Sequence, residues 1–323
     1  MNLKKIFKAF PPPKFLDIPS AGICISDTSI RCIKFTRKND GLHLEKYSEK
    51  ILSKGAIVGG QINNAEEVVS VLSDLKKDLK LNYVKMSLPE EKAYLFTAKI
   101  PKVGNNEIKS AVESKIEENV PVSPLELTFD YKLFERQDDK ELIDVVVSAI
   151  PITLVDSYVD IAKKSGLSLL SLEMESQSIA RSILPSNYTD TALIVNFSTE
   201  KVGLYVASSR VVRFTSTIST KGESANNPSF VMQEIKRLYT YWHTLKENVD
   251  KSDKKISQIY ICGEGFDEDM ISFISSKSKT PTNLANVWLN VFDINKSIPE
   301  VSFKDSLKYA GSIGLAIPSK ILI

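Results

Sequence analysis

Three short polar segments, each placed directly after an apolar strand pattern, contain the residues best suited to chemistry. Their members are Cys24, Ser26, Asp27, Thr28 and Ser29; Asn196, Ser198 and Thr199; and Gly263, Glu264 and Gly265. Tight turns of such residues can direct backbone N–H groups at phosphate oxygens. The first two segments alone would favour plain hairpins. The third, a Gly-Glu-Gly turn that precedes a helix pattern, lets a ligand approach the main chain and favours a phosphate-binding cleft.

The first two segments belong to an internal repeat. Residues 21–51 and 191–218 share one order of apolar strand, polar turn, strand, polar turn and strand. This predicts a duplicated fold in which each half contains a three-stranded meander. Between them, a helix capped by Asn64 should bury one face, formed by Val68, Val69, Leu72, Leu75 and Leu79.

Residues 93–172 read as a separate small module. The pattern is strand, helix, strand, polar turn, strand, helix and strand, with the first helix ending before Pro121 and the second closed by Gly166. The earlier kind of pattern resumes after it. We therefore expect the module to be inserted into the first half of a duplicated α/β fold.

Composition narrows the functional classes. The 323 residues are 42% hydrophobic and 25% charged, with a formal net charge of +2, which is typical of a globular protein with a sizeable core. No dense basic stripe with aromatic residues is present, so nucleic-acid binding is disfavoured. The three cysteines form no CxxC pair and the two histidines lie far apart, which disfavours a zinc site, a disulfide framework and a histidine-dependent triad. A reducing cytoplasm fits this cysteine usage.

The N-terminal segment, residues 1–20, has its own character. Apolar residues at positions 3, 6, 7 and 10 predict a short basic amphipathic helix, with Lys4, Lys5 and Lys8 on its other side and prolines at its end. It has neither a long apolar stretch nor a small-residue cleavage site, so we expect it to be retained. It would dock on an anionic membrane surface or a partner, or pack as a terminal turn on its own domain. No stretch is apolar for the roughly 20 residues that a membrane-spanning helix needs.

Several longer phrases resemble the PilM family of type IV pilus assembly proteins, within the actin-like ATPase superfamily. They are "VKMSLPEEKAYLFTAKIP", "EIKSAVESKIEENVPVSPLELTFDYKLF", "VVVSAIPITLVDSYVDIAKKSGL", "LEMESQSIARSIL" and "VVRFTSTI". The resemblance, which spans most of residues 20–317, implies a bilobal actin-like, ribonuclease H-like fold with a nucleotide cleft. The first lobe would comprise residues 21–92, 173–189 and the helix 305–317, with 93–172 inserted. Residues 190–304 would form the second lobe, shortened around 219–250.

The family pattern differs from this chain in the cleft. It has Asp-Ile-Gly at the end of both first strands, where the Asp helps to hold Mg²⁺ through water and the Gly admits a phosphate. Here those positions are Cys24 and Ser26 in one copy, and Asn196 and Ser198 in the other. A thiol is a poor Mg²⁺ ligand and Asn lacks the charge. Asp27 leaves the strand in a different direction.

Glu264 and the acidic residues after it would also oppose a polyphosphate. We therefore expect ATP hydrolysis to be very weak or absent and assign no catalytic residue and no metal ligand. ATP binding is a separate question, because backbone N–H groups remain around Thr28, Ser29, Thr199 and Gly265. Mg²⁺ is expected only if ATP binds.

The resemblance implies a scaffold that binds the cytoplasmic N-terminal tail of a PilN-like membrane protein, in a groove between the first lobe and the inserted module. Glu113, Glu117, Asp130 and Tyr131 could meet a basic tail, although a solvated helix face and a core tyrosine explain them as well. Further platform or motor proteins would be partners. The protein would be cytoplasmic, at the inner face of the cell membrane, held there by its partner and by the N-terminal lysines.

Two other classes remain open at this point. An active nucleotide-binding ATPase or kinase of the same superfamily would need acids in the cleft. A membrane-associated filament protein like FtsA would need self-association and a C-terminal anchor, for which "IPSKILI" is short. A related type II secretion component is a nearer rival, but it carries a membrane span.

Overall fold

The computed structural model describes residues 18–38, 41–135, 141–219, 227–245, 248–249, 254–292 and 299–318. The predicted N-terminal helix with Lys4, Lys5 and Lys8 lies outside these residues, as does most of the loop before Pro228. Among the described residues, no helix combines the length and apolar character needed to cross a membrane.

The first sheet has five strands in the order β10-β6-β1-β2-β3. Its strands are β1 (Ala21–Ile25), β2 (Ser29–Lys38), β3 (Gly41–Ile51), β6 (Tyr83–Leu88) and β10 (Ser168–Met174). A small separate pair, β4 (Ile57–Val58) and β5 (Gln61–Ile62), follows the meander. Strands β1, β2 and β3 run antiparallel, whereas β6 is parallel to both β1 and β10.

The second sheet repeats this plan in the order β13-β12-β11-β14-β15. Its strands are β11 (Thr191–Phe197), β12 (Lys201–Ser208), β13 (Val211–Ser219), β14 (Ile256–Gly263) and β15 (Thr282–Leu284). The meander β11-β12-β13 is again antiparallel, and β14 again lies parallel to its first strand. The predicted duplication is therefore confirmed at the level of strand pairing.

The middle of the chain forms a three-stranded antiparallel sheet in the order β7-β9-β8. Its strands are β7 (Tyr94–Pro101), β8 (Leu127–Glu135) and β9 (Leu142–Pro151). Alternate residues of β9 point to opposite faces. Val145 and Val147 pack in one cluster with Val112 and Ile116 of the helix Asn105–Asn119, whereas Val146 lies on the other face.

Eight α-helices surround the sheets in the described part of the chain. They are α1 (Ala65–Leu79), α2 (Asn105–Asn119), α3 (Ile152–Lys164), α4 (Glu175–Ile183), α5 (Pro228–Thr244), α6 (Glu268–Ser278), α7 (Phe303–Ser306) and α8 (Ala310–Ala316). Asn64 caps α1 as predicted, since its side chain accepts a hydrogen bond from the Glu67 amide. The predicted terminal helix is instead split, because a 3-10 turn at Leu307–Tyr309 separates α7 from α8.

Helix α8 packs closely against both α4 and β1. A Cβ atom on Gly314 would lie 1.8 Å from the Ser178 carbonyl oxygen, and one on Gly22 would lie 2.0 Å from the Ser312 carbonyl oxygen. Every residue of α8 is buried. Both contacts involve main-chain atoms, so a larger side chain at either position would have to push whole elements apart.

We expect Gly314→Ala to lower the free energy of unfolding by about 3 kcal/mol, because its methyl group would overlap the backbone of α4. The measurement is urea denaturation followed by circular dichroism. Gly104→Ala is the matched control, since its Cβ would come no nearer than 3.7 Å to Glu107 Oε2. Its cost should stay below about 1 kcal/mol. Equal effects of the two substitutions would contradict this account of the helix contact.

Candidate functional site

Hydrogen bonds between Ser26 and Ser29 close the turn that joins β1 to β2. The Ser26 amide and hydroxyl both donate to the Ser29 carbonyl oxygen, at 2.9 and 3.0 Å, and the Ser26 hydroxyl accepts from the Ser29 amide at 3.1 Å. The Asp27 carboxylate accepts hydrogen bonds from the Gly59 and Gly60 amides, at 2.7 and 3.0 Å. The Thr28 carbonyl accepts from the Leu52 amide. These polar groups are therefore engaged in holding the turn.

The turn between β11 and β12 has the same construction. The Ser198 amide and hydroxyl both donate to the Lys201 carbonyl oxygen at 2.9 Å. Ser198 thus occupies the place of Ser26, and Lys201 that of Ser29. Asn196, two residues before Ser198, accepts a hydrogen bond from the Cys262 thiol at 3.5 Å. The repeat seen in the sequence extends to these turn contacts.

The third segment leads from β14 to α6. Gly263 has a φ of +94°, and a Cβ there would lie 1.9 Å from the Phe197 carbonyl oxygen, so the neighbouring strand requires this glycine. Gly265, with φ +82°, faces open space. Asp267 caps α6 by accepting from the Met270 amide at 2.8 Å.

Glu264 joins the two sheets across the cleft. Its carboxylate forms an ion pair with Arg31 of β2 and lies 3.5 Å from the Thr199 hydroxyl. Arg31 also binds Glu49 of β3 at 2.7 Å, and Glu49 binds Lys308 at 2.6 Å. Burial alone would raise the pKa of Glu49, but the contacts with Lys308 and Arg31 outweigh burial and lower this pKa. The result is a chain of alternating charges that ties β2 and β3 to the third segment.

A second ion pair also crosses the cleft. Lys201 of β12 pairs with Glu91, in the 3-10 turn after β6. Burial alone would lower the pKa of Lys201, but the carboxylates of Glu175 and Glu91 outweigh burial and raise this pKa. Glu175, the first residue of α4, also accepts a hydrogen bond from the Cys24 thiol at 3.3 Å. Burial, together with Glu175, raises the pKa of that thiol.

The donors that line the cleft do not match the oxygen ligands that Mg²⁺ prefers. Across the residues that the structure describes, no three His, Cys, Asp or Glu side chains lie together in a way that could hold a metal ion. Cys24 offers a protonated thiol, Asp27 is bonded to two amides, and the Lys201 ammonium neutralises Glu91. Glu264 adds a negative charge near Thr199. A magnesium-bound polyphosphate is therefore a poor fit to these groups.

All eleven residues singled out from the sequence lie at or beside the two turns and the Gly-rich segment. The charged residues that join these segments were not predicted from the sequence; they are Arg31, Glu49, Glu91, Glu175, Lys201 and Lys308. Only weak sequence features pointed to two of these residues. Lys201 holds the repeat position equivalent to Ser29, and Glu91 belongs to an acidic pair at a strand end. Neither pattern indicates its partner.

A groove with a volume of about 800 Å³ lies on the face of the β7-β9-β8 sheet that is opposite to α2. Three cross-strand pairs of β8 and β9 form one wall, namely Thr128 with Ile150, Asp130 with Ser148, and Lys132 with Val146. The other wall consists of the β10 segment 171–174, the start of α4 and residues 211–212 of β13. Within the described residues, β8 and β10 each pair with only one neighbouring strand.

Of the four groove residues considered from the sequence, Asp130 and Tyr131 line this groove. Glu113 and Glu117 belong to α2, which packs on the opposite face of the sheet, and neither lines the groove. Because alternate residues of β8 point to opposite faces of the sheet, the sequence could have placed Asp130 and its two neighbours on different faces. It does not show which of the two faces the helix α2 covers.

Two meander sheets that face one cleft, with a small α+β module inserted in the first, define the bilobal actin-like ATPase fold. The structure of a PilM–PilN type IV pilus biogenesis complex matches with a TM-score of 0.78 and 15% identity, over 93% of this chain and 98% of that one. The ethanolamine utilization protein EutJ from Carboxydothermus hydrogenoformans matches with a TM-score of 0.50 and 10% identity, over 93% and 90%. The cytoplasmic domain of EpsL from Vibrio cholerae matches with a TM-score of 0.50 and 8% identity, over 90% and 93%.

The family model described as type IV pilus assembly protein PilM matches residues 22–241. This chain therefore belongs to the PilM family. A comparison with curated protein sequences gives no significant match.

We expect Lys201→Met to lower the free energy of unfolding by about 2 kcal/mol, because it leaves Glu91 and Glu175 without their counter-charge. Urea denaturation at pH 7 measures this. The matched control is Lys115→Met, which removes an exposed pair with Glu118 and should cost no more than about 0.5 kcal/mol. If Lys201→Met lowered the free energy of unfolding no more than the control does, Lys201 would not be neutralising the carboxylates of Glu91 and Glu175.

Glu90 makes folding stability depend on pH. Its buried carboxylate accepts from the Ser176 amide at 2.6 Å, and burial raises its pKa from 4.5 to about 7. The folded state therefore holds this proton more tightly than the unfolded state, so Glu90 makes the protein less stable as pH rises from about 4.5 to about 7. As the pH rises from 5 to 8, the free energy of unfolding of the Glu90→Gln variant should increase by about 2 to 3 kcal/mol relative to that of the unsubstituted protein.

Thermal unfolding and urea denaturation over a pH series measure the difference between the two proteins. Glu126→Gln, at an exposed position in a 3-10 turn of the inserted module, is the control, and its stability should change with pH in parallel with that of the unsubstituted protein. If the stability of Glu90→Gln also changed with pH in parallel with that of the unsubstituted protein, the Glu90 carboxyl group would not contribute to the pH dependence.

Proposed function

We propose that this protein is a scaffold of type IV pilus assembly that binds the cytoplasmic N-terminal tail of a PilN-like membrane protein. The observation that carries the proposal is the groove between the β7-β9-β8 sheet and β10. Membership of the PilM family supports it, and one solved structure of similar fold is of a PilM–PilN complex.

The groove suits an extended peptide. Its volume of about 800 Å³ falls in the range of ligand sites, and apolar side chains such as Ile150, Leu172 and Val212 line it. Each of β8 and β10 has one edge that pairs with no other strand among the described residues, and such an edge offers main-chain donors and acceptors to an added strand. Apolar anchors in such a groove supply most of the affinity, and main-chain bonds fix the register.

We further infer that the nucleotide cleft no longer supports ATP hydrolysis. Phosphoryl transfer depends on metal ions and cationic groups that stabilise charge on the transferred phosphate. In this cleft the cations Arg31, Lys201 and Lys308 are already paired with carboxylates of the chain. The ion pairs instead hold the two sheets together without a nucleotide.

The remaining features of the proposal concern organisation and location. Residues 21–92, 173–189 and 305–317 would form the first lobe, residues 93–172 the inserted module, and residues 190–304 the second lobe. The protein would act in the cytoplasm at the inner face of the membrane, held there by its PilN-like partner and by the N-terminal lysines. It would connect the assembly platform to other platform or motor proteins.

The test is binding of a fluorescent peptide with the cytoplasmic tail sequence of the PilN-like protein from the same organism, measured by anisotropy. Thr128 is exposed on the groove wall, so Thr128→Trp should fill the groove without disturbing the core and weaken binding at least about tenfold. Thr240→Trp, at an exposed position of α5, is the matched control and should bind normally. Absence of binding to the unsubstituted protein, or equal binding by both variants, would refute the proposal.

A further inference from the structure

Glu90 contributes a buried carboxyl group to the lining of the groove. It begins the 3-10 turn Glu90–Lys92, which follows β6, and it lines the groove together with Leu88 and Leu95. The residue is only 7% exposed. A glutamate is rarely this buried unless a cation or several hydrogen bonds compensate for the lost water. The groups around Glu90 therefore decide what its carboxyl group can bind.

Among the residues that the structure describes, Ser176 is the one residue that hydrogen-bonds the carboxyl group of Glu90. Its amide, in the first turn of α4, donates to Glu90 Oε1 at 2.6 Å. A carboxylate offers about four acceptor positions. Acceptor positions are therefore left for a hydrogen-bond donor that enters the groove.

Glu90 also forms no ion pair with any residue in the described part of the chain. Lys201, the cation that β12 brings to this turn, pairs instead with Glu91. Burial, together with the carboxylates of Glu175 and Glu91, raises the pKa of Glu90 to about 7, although its hydrogen bonds oppose this. Tyr205 of β12 stays neutral, because burial, Glu175 and Glu90 raise its pKa. The ionised form of Glu90 is thus left without a counter-charge.

Two further cations stand near this turn, and neither pairs with Glu90. Lys92, the last residue of the same turn, is exposed to solvent. Strand β13 packs against the turn and carries Arg213, whose guanidinium lies 3.7 Å from the centre of the Phe134 ring. Arg213 is therefore engaged by a ring of β8 and not by Glu90.

The other charges that line the groove balance one another. Glu173 forms an ion pair with Arg181. Asp130 and Lys132 are two residues apart in β8, so they project from the same face of the sheet, and both line the groove. Among the described groove residues, Glu90 is thus the one carboxyl group for which the lining provides no matching cation.

We propose that the segment that docks in the groove carries a Lys or Arg side chain, and that the Glu90 carboxylate binds its cation. This rests on the proposed function, because it assumes that the groove takes an extended peptide. A charge-assisted hydrogen bond would use the remaining acceptor positions of Glu90, while Ile150 and Leu172 contact neighbouring apolar side chains. Glu90 would then discriminate against a neutral side chain, which leaves a buried carboxylate without a cation.

The proposal makes peptide affinity depend on pH. A cation binds the ionised form of Glu90, so the peptide lowers the pKa of this group from about 7 in the free protein, and binding releases a proton. The affinity for a basic peptide should therefore rise about tenfold from pH 6 to pH 8. A neutral peptide does not need the ionised form and should gain no affinity over this range.

The test is binding of short N-acetylated peptides to the full-length protein, measured by fluorescence anisotropy at pH 6 and pH 8. The peptides share one largely apolar sequence, in which Lys or norleucine stands at each position in turn. At one position, we expect Lys to bind about tenfold more tightly than norleucine at pH 8, and this preference to shrink at pH 6. Equal binding of Lys and norleucine at every position, or binding of no peptide, would overturn the proposal.

Variants assign the preference to one carboxyl group. Glu90→Gln keeps the size of the side chain and an acceptor for the Ser176 amide but lacks the charge, so it should lose both the preference for Lys and its rise with pH. Glu117→Gln, at an exposed position of α2 on the other face of the module, is the matched control and should retain both. If Asp130→Asn removed the preference and Glu90→Gln did not, Asp130 would receive the cation and the inference would be wrong.

Two further outcomes separate this inference from the proposed function. If the PilN-like tail binds the unsubstituted protein and Glu90→Gln equally well at pH 8, the proposed function stands and the inference fails. If the tail does not bind, but Lys peptides bind the unsubstituted protein and lose their preference on Glu90→Gln, the proposed function fails and the inference stands.

Discussion

The close contact between the helices Glu175–Ile183 and Ala310–Ala316 is the constraint on which both functional regions depend. Glycines at positions 22 and 314 allow main-chain atoms of β1, α4 and α8 to meet without intervening side chains. Glu175, at the start of α4, reaches the cleft, whereas Gln177 and Arg181 of the same helix face the groove. A shift of α4 would therefore move the cleft and the groove together, which is how a rigid helix couples two sites.

Charge within the cleft is balanced by the chain itself. Lys201 from the second sheet meets Glu91 beside the first, and Arg31 from the first sheet meets Glu264 beside the second. Pairs of this kind are partly shielded from water, and removing one partner leaves a costly uncompensated charge. The two lobes are thus joined by interactions that in an ATPase would compete with a metal-bound nucleotide.

Local patterns predicted most of the fold. Period-two alternation and polar turns located both meanders, and the Asn64 cap located α1, because these features depend on neighbours in the chain. The split of the terminal helix at Leu307–Tyr309 was not predicted, since neither proline nor glycine stands in these three residues to mark a break. The ion pair of Arg31 with Glu264 joins residues 233 positions apart, and nothing local indicates it. Likewise, Asp27 was recognised as a candidate, but its bonds to the Gly59 and Gly60 amides required the folded chain.

The most direct test of a cleft neutralised by its own ion pairs is isothermal titration of the full-length protein with ATP, with and without Mg²⁺, combined with a phosphate-release assay. We expect no Mg²⁺-dependent binding at micromolar ATP and no phosphate release above background, because the described residues offer the metal no set of carboxylates and the cleft cations Arg31 and Lys201 are already paired. Submicromolar, Mg²⁺-dependent affinity with turnover would contradict this account and identify the cleft as a working ATPase site.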